Sequence, residues 1–486
     1  MKFRHYNQSQ RKFILLNYRE ILGEDSVPAV LNDIIELLDI GKFEAIYVEV
    51  GNPAYHPKAM LKVLIYGYYK GYFGGRPLSS NFETDLGLRY LSNDDFPDFR
   101  TINLFRVKFR EEIADIFSQV VMLCNELDLI GFENLSIDGQ KIKANANVFQ
   151  NKNLDGIRKE KQKIEKLLKK LLKKKIESYE DAEKIARKKR KFDRRKEKLI
   201  EAAEILKRAG GEDDKKKRYN LTDPESRVMT DKRGVKNPDY NTQNAVDDKC
   251  GVLTAVNVIN ESSDKDELIP MKEMSKKNTG QAHKNTLIDC GYSDKKKYEE
   301  IAADKDTEYY MPDRTMYSCK TNKYSKWNFA YDEERDVYFC PEGEELIFVR
   351  ISRDRKNHQF RLYRKDGCEN CKAREKCIKK TKKKGKPRKT YYRTISIYPE
   401  DRLIKEMRAK LDSKEGKKIY QRRMATVETV HGDMQKNRGF LQFYLRGLKK
   451  VNTEYNLLGI AHNIRKIILH GAVALKGIRK KAIYAL

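Results

Sequence analysis

Glu133-Asn-Leu135-Ser-Ile-Asp138-Gly-Gln-Lys-Ile-Lys143 is the stretch whose reading decides the fold. Leu135 and Ile137 share one face and Ser136 and Asp138 the other, the period-two pattern of a strand. Its polar face carries a carboxylate followed by glycine. Downstream, Asn241-Thr-Gln-Asn-Ala-Val-Asp247 and Gly251-Val-Leu-Thr-Ala-Val-Asn-Val-Ile259 are β-rich and read as neighbouring strands. A helical pattern covers Asp266 to about Lys277. Asn285 to Asp289 is a fourth short strand that ends at its own carboxylate.

Between the first and second strands lies a low-complexity stretch from Asn151 to about Arg218. Ile157, Ile164 and Leu171 recur every seven residues, with Leu167, Leu168 and Leu172 filling the seam. After Ser178-Tyr-Glu-Asp181, a capping-box-like start, Ile185, Phe192, Leu199 and Leu206 do the same. The spacing predicts two long helices folded back as an antiparallel coiled-coil hairpin. Its lysines form either a DNA contact or a solvated face. With this hairpin set aside, the order is strand, strand, strand, helix, strand. That is the β-β-β-α-β order of an RNase H-like mixed sheet, in which the first and fourth strands are neighbours.

Four regions follow. Residues 1–125 read as helical: an apolar helix from Met60, a break over Gly71 to Pro77, a helix over Ser79 to Leu91, and a third opened by Pro97-Asp98. This pattern fits a helix-turn-helix-like DNA-binding unit or an ordinary helical bundle. Residues 126–304 hold the α/β core, with the hairpin inserted at 151–218. Residues 305–400 are aromatic, basic and β-rich, and include a basic loop from Lys379 to Lys389. Residues 401–486 return to helical periodicity.

The chain has 486 residues, with 102 Lys and Arg against 72 Asp and Glu, a net charge of +30. That excess argues for a polyanionic partner; a ribosome-like or membrane-surface role is the bland alternative. No run approaches the roughly 20 apolar residues of a spanning helix. The start, Met1-Lys-Phe-Arg-His-Tyr6, has no apolar signal region, so a cytoplasmic location, on the nucleoid when DNA is bound, is expected. Of eight cysteines, Cys124, Cys250 and Cys290 read as small core residues. Cys340, Cys368, Cys371 and Cys377 cluster at a spacing that suits a structural Zn²⁺, or they are reduced, unliganded thiols; Cys319 is an outlier or substitute ligand. Trp327, the only tryptophan, is a core residue or a base-stacking platform.

Asp138 and Asp289 need a third acid for phosphodiester chemistry. Two Mg²⁺ (or Mn²⁺) ions about 3.5–4 Å apart activate the attacking oxygen and stabilise the leaving one, and such hard cations take oxygen ligands. Glu428, on a helix starting near Met424, shares a face with His431, Gly432 and Gln435. Each acid also has a plain reading: a strand-end turn for Asp138, a loop cap for Asp289, a first-turn helix acid for Glu428.

Further motifs agree. His56-Pro57 with Leu61, Leu64, Tyr66, Tyr68 and Gly71, and Pro97-Asp98 with Thr101-Ile102 and Phe105-Arg106, are set before Ile137-Asp138-Gly139 and Lys141 to Asn145. Tyr240-Asn241, Gln243 and Ala245-Val246-Asp247 follow, then Asp289-Cys-Gly291-Tyr292, and Val427-Glu428 with Gly432, Gly439-Phe440, Arg446-Gly447-Leu448, Glu454 and Ala461-His462-Asn463. Together they resemble the DDE transposases of bacterial insertion sequences with a Tyr-Arg-Glu-Lys signature around the last acid. The resemblance implies that Asp138, Asp289 and Glu428 hold the catalytic metal ions. It implies that Tyr420 and Arg423 contact DNA phosphate near the cut, and that the chain binds inverted-repeat ends as a homodimer, cleaves, and joins strands to target DNA. Two departures stand out. The Arg-to-Glu spacing is one residue longer if Arg423 is the signature arginine, and the expected lysine is Gln435, so Lys436 or Arg438 would substitute. A metal-dependent nuclease without strand transfer, and a non-catalytic zinc-stabilised nucleic-acid-binding protein, remain the alternatives.

Overall fold

The computed structural model describes residues 17–47, 53–174, 178–210, 218–230, 234–355, 357–378, 381–383, 386–388, 392–471, 475 and 477. The N-terminal segment Met1–Tyr6 and the side chains of Cys319 and of the basic loop expected over Lys379 to Lys389 lie outside the described residues; within that loop Thr381–Lys383 and Lys386–Arg388 pair antiparallel.

These residues form a mixed α/β fold, consistent with an RNase H-like core. The central sheet comprises β1 (Asn134–Lys143), β2 (Arg227–Thr230), β3 (Lys236–Asp247), β4 (Leu253–Ile259), β5 (Asn285–Ile288) and β6 (Glu308–Tyr310). β1 is antiparallel to β3, with Asp138 opposite Asn244, and parallel to β5, with Ile137 opposite Ile288. The far edge of β3 is shared: β2 pairs with its first residues and β4 with the rest. β6 runs parallel to β5 at the other side. β2 has no counterpart in the sequence reading, because Arg227-Val-Met-Thr230 is short and mostly exposed.

The sheet is covered on both faces. Leu135, Ile137, Ala245, Ala255 and Ile288 pack with Leu268, Met271, Tyr298 and Ile404. On the other face Tyr240, Val246, Leu253, Val256 and Val258 join one continuous core with the N-terminal helices and with Val451, Tyr455, Leu458 and Ile464. The N-terminal helices α1 (Pro57–Lys70), α2 (Phe99–Lys108) and α3 (Arg110–Glu126) are therefore built into the same core as the central sheet. α2 begins where Pro97-Asp98 places it, because the Asp98 side chain accepts the Thr101 N–H at 2.7 Å. The helix expected over Ser79 to Leu91 is instead two short ones, Gly75–Ser80 and Leu86–Ser92. Asp85 divides them by capping the second through the Gly87 and Leu88 N–H groups. Arg106 of α2, 1% exposed, pairs with the fully buried Glu454 at 3.2 Å and also meets Tyr68.

The insertion forms two packed helices, α4 (Leu154–Leu172) and α5 (Tyr179–Gly210). Ile157, Ile164, Leu199 and Leu206 are buried in a core of their own, with Phe192 packed against it. Its ends are drawn together where Asn151 pairs with Asn220 and Lys152 with Tyr219. After β6, a separate five-stranded sheet follows: β7 (Ala330–Asp332), β8 (Val337–Phe339), β9 (Glu345–Arg353), β10 (Gln359–Lys365) and β11 (Arg393–Ile397), each pairing with the next in chain order. Phe329, Tyr338, Leu346, Tyr363 and Ile395 form its small core. Trp327 donates to Thr315 Oγ1 at 3.1 Å, with Lys326 and Arg408 against its ring. Among the described residues no helix is long and apolar enough to cross a membrane.

Candidate active site

Asp138 sits at the middle of β1 and is 8% exposed. Its Oδ1 accepts the Gly139 N–H at 3.0 Å. Asp289 follows β5 directly. Its Oδ1 accepts the Cys290 N–H at 2.6 Å, which caps a 3₁₀ turn over Cys290–Tyr292. Parallel pairing of β1 with β5 brings these two segments side by side.

The third acid comes from a long helix. Beyond α6 (Leu268–Thr279), which packs on the sheet, α7 (Asp401–Asp412) ends at Ser413, which caps α8 (Lys414–Arg423) through the Gly416 N–H. The helix then runs through a π turn over Met424–Glu428, an α turn over Thr429–Gly432 and a second π turn over Asp433–Asn437. Val427, Val430 and Met434 are buried and fix it to the sheet. In an uninterrupted α-helix an offset of five residues turns about 500°, which would leave Glu428 roughly 140° from the face of Arg423. A π turn takes up one extra residue. It thus accounts for the long Arg-to-Glu spacing and returns Glu428 to the face of Arg423.

Arg423 is the hub. One guanidinium nitrogen lies 3.2 Å from Asp138 Oδ2 and the other 4.0 Å from Glu428 Oε1. Burial acts to lower its pKa, but Asp138, Tyr420, Asp289 and Glu428 outweigh burial and hold it above the ordinary arginine value. All three acids therefore act on one buried cation. Glu428 is the open member, its side chain 47% exposed, and Asp289 is half-buried. His431 is buried, with Nδ1 3.8 Å from Asp138 Oδ2.

The remaining sequence candidates are distributed differently. The Tyr420 hydroxyl donates to the Ile288 carbonyl at 3.2 Å, one residue before Asp289, and burial pushes its pKa up. Lys436 is exposed. Arg438 is buried: its Nε meets Asp433 Oδ2 at 3.1 Å, and burial lowers its pKa. Arg438 lies in a cluster where Arg465 and His462 also face Asp433.

Cys340, Cys368, Cys371 and Cys377 line one cavity of about 350 Å³. Burial, and then the neighbouring thiols, raise the pKa of Cys377, and burial raises that of Cys368. Among the described residues no group of three or more His, Cys, Asp or Glu is arranged to hold a metal ion. At the acids the physical reason is visible: the Arg423 guanidinium stands among the carboxylates as their counter-charge. The donor set itself, one carboxylate on the central strand β1, one just past its neighbour β5 and one on the helix packed beside them, suits a hard divalent cation.

One participant was missed by sequence reasoning. Asp264, in the polar run Glu261-Ser-Ser-Asp-Lys-Asp266, lies beside the site and accepts from Asn241 Nδ2 at 2.6 Å and Gln243 Nε2 at 2.8 Å. The motif residues Asn241 and Gln243 were the available signal.

Two family profiles match the chain. The Transposase DDE domain matches residues 339–468, and the Transposase domain (DUF772) matches residues 17–108. The first contains Glu428 and the cysteine cluster; the second contains α1 and α2. No curated protein and no solved structure matches the chain.

Proposed function

We propose, from the premise that this chain belongs with the DDE transposases of insertion sequences, that it binds the terminal inverted repeats of its element and catalyses Mg²⁺-dependent DNA cleavage and strand transfer. The observation that carries the reading is that Asp138 and Glu428 lie within ion-pair reach of Arg423 and Asp289 acts on the same guanidinium, beside the central strands of a sheet in the strand order 3-2-1-4-5, numbered without the short β2. That order supports an RNase H-like core.

Divalent ions, when bound, supply Lewis-acid stabilisation of the attacking and leaving oxygens. Asp138, Asp289 and Glu428 hold them. Tyr420 fixes the backbone just ahead of Asp289 through the Ile288 carbonyl, so it positions an acid as well as facing DNA. Arg423 balances the charge of the acids, and its guanidinium would be available to a DNA phosphate where divalent ions supplied that counter-charge. Gln435 and Lys436 lie within the second π turn, which advances the register beyond Glu428 and favours the exposed Lys436 as the basic residue at the signature position. Arg438 is committed to Asp433 and serves the helix rather than DNA. The element ends are held by two copies of the chain, the +30 charge supplying phosphate contacts. Cys340, Cys368, Cys371 and Cys377 line one cavity without being arranged around an ion, and would have to draw together to hold one structural Zn²⁺: metal analysis of purified protein finds about one equivalent, and none would remove that assignment.

The test is a reaction of end-containing DNA with Mg²⁺ and a target plasmid. Joined products are expected. Cleaved ends without joined products would indicate a nuclease, and salt-sensitive binding without cleavage a non-catalytic binding protein.

A further inference from the structure

We infer that Asp264 is a positioning residue that sets the separation of Asp138 and Asp289 from the opposite face of the sheet; this rests on the proposed acidic site. Asp138 is on the face that packs against the Glu428 helix. Gly139 and Lys141, and their partners Gln243 and Asn241 on β3, lie on the other face. There a single oxygen, Asp264 Oδ1, accepts from Lys141 Nζ at 3.2 Å, Asn241 Nδ2 at 2.6 Å and Gln243 Nε2 at 2.8 Å. Gln243 Oε1 in turn accepts the hydroxyl of the fully buried Tyr292, at the end of the turn that Asp289 caps. One polar chain therefore runs from β1, just past Asp138, across β3 to the segment just past Asp289.

Two glycines make room for it. A Cβ on Gly139 would stand 2.5 Å from Asp264 Oδ1 and 2.6 Å from Gln243 Nε2. A Cβ on Gly291 would lie 3.8 Å from both Asp264 Oδ2 and Asp289 Oδ2, so the two carboxylates flank that residue. Lys141, Asn241 and Gln243 share Asp264 as their acceptor, and Tyr292 reaches it through Gln243. Anchoring of this kind fixes first-contact acids to within a fraction of an ångström.

The experiment titrates Mn²⁺ into the purified full-length protein without DNA, read by electron paramagnetic resonance, for wild type, Asp264→Ala, Asp264→Asn and Gln243→Ala, with Asp138→Asn as reference. Asp264→Ala is expected to weaken Mn²⁺ binding roughly tenfold or more, in the range typical of outer-shell residues. Asp264→Asn, which keeps an acceptor at Oδ1, is expected to restore most of that affinity. Gln243→Ala, which severs only the Tyr292 end and keeps the charge, is expected to fall between. Wild-type affinity in both Asp264→Ala and Gln243→Ala would overturn the assignment. So would equal loss in Asp264→Asn and Asp264→Ala, which would make the carboxylate a ligand. If Asp264→Ala does not fold, Gln243→Ala and Asp264→Asn decide alone. Failure of the acidic-site reading looks different: there Asp138→Asn also leaves Mn²⁺ binding unchanged.

Discussion

At the residue scale the decisive group is Arg423. A guanidinium 3.2 Å from Asp138 and 4.0 Å from Glu428 repels any divalent cation that approaches the same oxygens. Arg423→Gln is therefore expected to raise Mn²⁺ affinity of the free protein by about tenfold or more, while DNA cleavage falls because the phosphate contact is lost. Titration and cleavage assays on one preparation check both; unchanged affinity would contradict the counter-charge role. Asp433 gives a pH test. His462 first, then Arg438 and Arg465, hold its carboxyl below the usual range against the cost of burial. A depressed folded pKa means its stabilisation is complete above the unfolded value, about 3.9, and is lost as pH falls through the folded value. Asp433→Asn should cost on the order of 3 kcal/mol by leaving Arg438 buried without a carboxylate. The melting-temperature gap to wild type should be constant above about pH 7, where His462 is neutral in both proteins, and the Asp433 contribution should shrink only as pH falls below about 4.

At the element scale the π turn over Met424–Glu428 does what the spacing alone did not reveal. Deleting the exposed Ala425 removes the extra residue and leaves Arg423 and Glu428 four apart, still on one face. Cleavage is expected to stay within about tenfold of wild type, whereas inserting one alanine beside it turns Glu428 away by about 100° and costs roughly a hundredfold. The strands around Asp138 and the heptads of α4 and α5 were legible because period-two and seven-residue patterns survive in single sequences. Three features were not. A π turn leaves no composition signal beyond an odd spacing. Asp264 sits in a polar loop that reads as an ordinary turn, and its partners are buried polar residues on β3 that no hydrophobic pattern marks. Arg438, offered by spacing as a substitute for the signature lysine, is held instead by Asp433 five residues back, a pairing that composition does not mark.

At the scale of the whole molecule, the two ends of the chain hold one core. Phe117 of α3 meets Gly459 of α9 (Leu448–Lys466) so closely that a Cβ there would stand 2.8 Å from its ring. Arg106 and Glu454 are motif residues far apart in sequence that form one buried pair. Removing residues 1–126 is expected to leave no folded remainder, and Arg106→Met alone to cost about 3–5 kcal/mol because Glu454 is then buried unpaired. The inserted hairpin should behave oppositely. It has its own core, and Lys152 is already paired with Tyr219, so a short Gly-Ser link between them should shift the melting temperature by only a few degrees. Both are read by calorimetry or circular dichroism. Of the expectations from sequence, the helical N-terminus and the third acid on a late helix needed only local pattern; their union in one core depended on contacts between residues hundreds of positions apart.

The most direct measurement is cleavage of DNA carrying the element's ends, with Mg²⁺, by wild type and by Asp138→Asn, Asp289→Asn and Glu428→Gln, alongside binding of the same DNA. The account predicts that each substitution lowers cleavage by roughly a hundredfold or more while DNA binding persists. Cleavage near the wild-type rate in any one of the three would contradict it.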